Sequence, residues 1–127
     1  MGFLHYIRYA GFSTMKRDFL NATVRKWKLG FNPNESWNLY YHLANHILPR
    51  LEYYKKSSCA YPCNLTEEGW HAELDKMIAA FRILADEDEK CMEIKDDKKR
   101  MAAYRKERKI IKQGLVSFGK YFEALWW

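Results

Sequence analysis

The clearest alternation of apolar and polar positions runs from Tyr61 to Leu84. Trp70, Leu74, Met77, Ile78, Phe81 and Leu84 recur at steps of three and four residues, which places them on one face of a helix. Thr66 stands just ahead of this stripe and is suited to cap the helix. Glu67 and Glu68 occupy the first turn, where the helix dipole favours anions. Tyr61-Pro62 closes the segment before it, because a residue preceding proline is pushed out of the helical region.

The same spacing predicts helices on both sides. Residues 3–12 are apolar and aromatic, broken at Gly11, and form a short helix or a docking segment. A helix over about 14–28 carries Met15, Phe19, Leu20, Val24 and Trp27, with Arg25, Lys26 and Lys28 near its end and Gly30 as its stop. After the loop GFNPNES, Asn34 or Ser36 is placed to cap the next helix. Trp37, Tyr41, Ala44, Leu48 and Leu51 form its stripe, and Leu39, Leu43 and Ile47 form a second row, which predicts burial on a wide face. Pro49 inside this pattern removes a backbone donor and predicts a kink near residues 45–49, with the helix resuming through Tyr54.

The charged run after Leu84 reads as a helix end, a turn and a new start. The last helix is expected to begin at Asp96 or Asp97 and to run almost to the end of the sequence. Its row is Met101, Tyr104, Ile111, Leu115, Phe118, Phe122 and Leu125, with Arg108 in the one heptad core slot that is not apolar. This is a coiled-coil-like seam, suited to near-antiparallel packing or to self-association. Gly114 and Gly119 each weaken such a helix by about 1 kcal/mol relative to Ala. A close helix approach or a local bend would account for them. The expected fold is all-α: a single-domain helical bundle of four to five helices, with a kinked second or third helix and a long C-terminal helix. Its basic segment 1–33 is expected to pack on a helical core of 36–127.

Composition narrows the function classes. The chain has 127 residues, 48% hydrophobic and 17% aromatic, too many rings for a disordered tail. Six glycines and three prolines are few for an all-β fold with many tight turns. No apolar run reaches the length of about 18 residues that spans a membrane. The opening MGFLHYIRYAGF is interrupted by His5 and Arg8 and does not read as an export signal, and Tyr6 stands where a myristoylation site needs Ser or Thr. The odd, sparse set Cys59, Cys63 and Cys91 then reads as reduced thiols in a cytosol, so the expected location is cytoplasmic.

The net charge of +6 is unevenly placed. Residues 1–33 carry six Lys and Arg against Asp18 alone, residues 66–94 carry nine acids against three bases, and residues 95–127 carry ten bases against four acids. Acidic and basic helix faces that attract each other or solvate the surface are one reading. The other is a polyanion- or partner-binding surface built from Arg8, Lys16, Arg17, Arg25, Lys26, Lys28, Arg105 and Lys109.

A further pattern combines Ile47-Leu48-Pro49-Arg50-Leu51 at the end of a Trp-initiated helix, the Tyr61-Pro62 turn, and Leu65-Thr66-Glu67-Glu68 with Trp70. Leu74-Asp75-Lys76-Met77-Ile78 and Phe81 follow, then Gly114-Leu115, Phe118, Tyr121-Phe122 and Leu125-Trp126. Over residues 37–127 it resembles a family of small bacteriophage and prophage proteins with no assigned activity. The resemblance implies a phage source and a helical fold, and it carries no catalytic residues. Cys59 and Cys63 are not part of the pattern.

The remaining candidate chemistry is sparse. His42 and His46 project from one helix face, and Cys59 with Cys63 just beyond could complete a zinc site. The cysteine spacing is one residue longer than usual, and polar histidines at a helix margin with ordinary cysteines are the alternative. His71 and Asp75 share a face as a base and its orienting acid, but no nucleophile accompanies them. No phosphate-binding glycine loop, serine elbow or DxD motif occurs. The aromatic end, with Phe122, Trp126 and Trp127, docks into the core or forms an interface with a partner or another copy. The expectation is a non-enzymatic, cofactor-free protein that binds a host or phage macromolecule, one version being an inhibitor of a bacterial defence system. The alternatives are a nucleic-acid or nucleotide binder, and a metal protein using His42 and His46.

Overall fold

The computed structural model describes residues 23–86 and 90–126. The chain divides into two compact units, Met1–Leu39 and Tyr40–Trp127. Among the described residues there are helices and turns and no strand, so the fold is all-α. No helix among them is long and apolar enough to cross a membrane.

In the first unit, residues 23–29 are helical. Gly30 ends this helix as the sequence predicts: its φ is +77°, and its N–H donates to the Lys26 carbonyl at 2.9 Å. The cap expected at Asn34 or Ser36 does not form. Those residues lie in a 3-10 turn, Pro33–Ser36, and Asn32 caps that turn by accepting from the Asn34 N–H at 3.1 Å. The following helix starts only at Leu39, after Asn38 takes a positive φ of 58° that asparagine tolerates better than most residues.

The second unit is a helical bundle. Helix α1 spans Leu39–Ser57 and continues through Pro49, past the predicted end at Tyr54. Only Ala44 and Leu51 of α1 are buried, and Leu43 is 48% exposed, so the expected wide buried face is narrow. Helix α2 spans Glu67–Leu84 and is the centre of the core. The Thr66 hydroxyl accepts from the Gly69 N–H at 3.1 Å, closing the predicted cap. Trp70, Leu74, Met77, Ile78 and Phe81 of α2 are buried together with Ala44, Leu51 and Tyr121. Ion pairs Lys55–Asp75 at 2.5 Å and Arg82–Glu52 at 2.7 Å tie α1 to α2 outside this core.

Helix α3 spans Asp97–Lys120, as expected of a long C-terminal helix. Asp96 caps it by accepting from the Lys98 N–H at 2.9 Å. It runs antiparallel to α2: Gly114 meets Lys76 and Ala80, Ser117 meets Glu73, and Tyr121 meets Trp70. A Cβ at Gly114 would overlap the Ala80 methyl and the Lys76 carbonyl oxygen, so the two backbones touch here. Gly119 has open space around it. The face of α3 turned to α2 is therefore Ile111, Gly114 and Ser117. Met101, Tyr104 and Leu115, from the predicted seam, stay 41–48% exposed.

Candidate functional site

Small residues decide which face of α3 is buried. Gly114 and Ser117 admit the closest approach to α2, and among the described residues no helix covers the bulkier row beside them. That row forms one wall of an apolar groove of about 510 Å³. Tyr104, Ile111, Leu115 and Phe118 line it from α3; Phe81, Ile83 and Leu84 from α2; Tyr40, Leu43 and Ile47 from α1. Cys91, buried on the short 3-10 turn Lys90–Glu93, also lines it. The Phe81 and Phe118 rings meet edge to face at 5.0 Å and hold the floor.

The rim is charged. Glu107 and Arg108 border the groove on α3, and Asp86 pairs with Lys90 at 2.9 Å. Some basic side chains of the unit are committed: Lys55, Lys76, Arg82 and Arg100 pair with carboxylates. In contrast, Arg105, Lys106, Arg108, Lys109 and Lys112 form no ion pair among the described residues. Arg105, Arg108, Lys109 and Lys112 recur at helical spacing next to the apolar row, so one helix presents an apolar strip and a cationic strip side by side.

A polar clasp fixes the opposite face of α3. The Ser117 hydroxyl donates to Glu73, which also accepts from Lys76 at 2.7 Å. The Lys76 hydrogen bond, then that of Ser117, holds the Glu73 carboxyl below its ordinary value against the opposing effect of burial. The end of the described chain is pinned separately. The Tyr54 hydroxyl lies 3.0 Å from the Trp126 carbonyl and 3.3 Å from that of Ala124.

The residues singled out in the sequence scatter. Arg8, Lys16, Arg17 and Trp127 lie outside the described residues. Arg25, Lys26 and Lys28 are exposed on the helical stretch of the first unit, and Arg105 and Lys109 are exposed on α3 of the second. Leu125 packs on the core while Phe122 and Trp126 are 61% and 69% exposed, so the aromatic end is partly docked and partly presented. His42, His46, Cys59 and Cys63 are all exposed, and among the described residues no group of three or more His, Cys, Asp or Glu is placed to hold a metal. The Asp75 carboxylate, suggested as the acid that orients His71, is engaged by Lys55.

The walls supplied by Tyr40, Ile83 and Cys91 had no sequence signal, because they belong to other helices and turns. The α3 wall did have one, the seam itself. Comparison with family models, curated proteins and solved structures finds no match to this chain.

Proposed function

We propose that the protein is a non-enzymatic phage accessory protein that binds a macromolecular partner through the groove beside α3. The observation that carries this reading is the open apolar row of α3, where Tyr104 and Leu115 are exposed in a groove large enough for several side chains. A monomeric surface seldom keeps such a concave apolar strip without use. The phage source rests on the sequence resemblance over residues 37–127. Inhibition of a bacterial defence system is one form of this function and rests on that source and on small size.

Capture from bacterial lysate, with and without nuclease, tests the reading. The protein is expected to retain a nuclease-resistant partner that is lost with Leu43→Ser, a substitution at a half-exposed groove position. Capture unchanged by Leu43→Ser removes the groove from the function.

The second reading is polyanion binding, favoured by Arg105 and Lys109, which form no ion pair among the described residues, with Arg25, Lys26 and Lys28 as further candidates. It predicts nuclease-sensitive capture and an affinity that collapses with salt.

A further inference from the structure

We infer that the groove accepts an acidic amphipathic helix, an inference that rests on the groove reading above and names the chemistry of its occupant. The wall is mixed aliphatic and aromatic. Leu43, Ile47, Leu84 and Leu115 offer sockets for apolar side chains rather than flat platforms for bases. A helix inserting an apolar stripe here lays one flank along the row Arg105, Arg108, Lys109 and Lys112.

Those cations form no ion pair among the described residues, and their place beside the apolar row leaves their charge to face an occupant of the groove. Among the described residues, Asp86 pairs with Lys90 and Glu107 is the other carboxylate lining the groove. A carboxylate-rich flank on the occupant complements this strip, and a basic one is repelled.

The same charges disfavour a second copy of α3 as the occupant. An antiparallel pairing that sets Tyr104 against Leu115 and Met101 against Phe118 sets Lys112 against Glu107 of the second copy, while Arg105, Arg108 and Lys109 face no carboxylate. A parallel pairing sets Arg108 against its own equivalent. Helix α3 carries nine Lys and Arg against Asp97 and Glu107, so in any register most of its cations lack a carboxylate on a second copy.

The test uses the full chain and a fluorescein-labelled synthetic peptide of about 20 residues, long enough for roughly 30 Å of helix. It carries Leu at the heptad core positions and Glu on both flanks. Controls are the same residues scrambled, a version with Lys for Glu, and a duplex DNA. Anisotropy is expected to show saturable binding of the acidic helix. Scrambling, Lys for Glu, Leu43→Ser and the pair Arg105→Glu with Lys112→Glu are each expected to weaken it by about tenfold or more. Circular dichroism checks that each variant keeps its helicity. Should the charge-reversed pair lose it, a salt titration of the unaltered protein gives the same information, with affinity expected to fall by about tenfold or more between low and high salt.

Equal binding of the scrambled peptide overturns the assignment in favour of bare charge attraction. Equal binding of the Lys peptide overturns the role of the cations. Duplex DNA that binds more tightly and displaces the peptide makes this a nucleic-acid surface, and a dimer in sedimentation that blocks the peptide makes it a self-association surface. If every peptide arm fails while Leu43→Ser still abolishes lysate capture, the acidic-helix assignment falls and the groove reading stands. If capture too is unaffected by Leu43→Ser, both fall.

Discussion

Gly114 of α3 lies against Ala80 of α2 with no room for a methyl group between them. This contact sets the rotation of α3 and, through it, which residues face the groove. Gly114→Ala is expected to destabilise the protein by about 1–3 kcal/mol, because overpacking outweighs the gain of about 1 kcal/mol in helix propensity. Gly119→Ala in the same helix meets open space and is expected to stabilise by about 0.4–1 kcal/mol. Urea unfolding of the two variants measures both. A stabilising Gly114→Ala contradicts the close approach.

The clasp of Glu73 with Lys76 and Ser117 makes part of the stability pH-dependent. The folded-state pKa of Glu73 is depressed below the ordinary 4.5, so its contribution is fully present above pH 4.5 and is lost as pH falls through the lower folded value. Glu73→Gln is expected to flatten the fall of stability below that pH. Ser117→Ala is expected to cost about 0.5–1.5 kcal/mol at neutral pH. Denaturant unfolding of the variants at a series of acid pH values provides the check.

Tyr54 ties α1 to the residues after α3 through the Ala124 and Trp126 carbonyls. Tyr54→Phe is expected to speed amide exchange at residues 121–126 while α2 stays protected, with a global cost of about 0.5–1.5 kcal/mol. Exchange that rises equally in α2 would show that the end of the chain is not an independent latch.

What the sequence made legible was local. The Thr66 cap, the α2 stripe from Trp70 to Phe81 and the Gly30 stop each depend on residues within a few positions, and each forms as expected. The cap at Asn34 or Ser36 failed because Pro33 favoured a tight turn and Asn38 interposed a positive φ before α1. The α3 seam was visible as a row, but periodicity reports which residues are apolar and not which neighbour fills them. Gly114 and Ser117, unremarkable on a hydrophobicity scale, won the contact with α2 because small residues let backbones touch. The groove is the consequence, and its walls at Tyr40, Leu43 and Ile83 come together only in three dimensions.

The Thr66 cap also supports the centre of the core. Thr66→Ala removes the acceptor for the Gly69 N–H and is expected to cost about 0.5–2 kcal/mol. Thr66→Ser is expected to recover most of this. Thermal unfolding of the pair distinguishes the hydroxyl from the loss of the methyl.

The most direct measurement of the groove's role is a methyl NMR titration of the full chain with the acidic helical peptide. Shifts are expected to concentrate at Leu43, Ile47, Ile83, Ile111 and Leu115, which share the groove. Shifts confined to Val24 and Leu29 of the first unit, or no saturable shifts at the groove methyls, would contradict it.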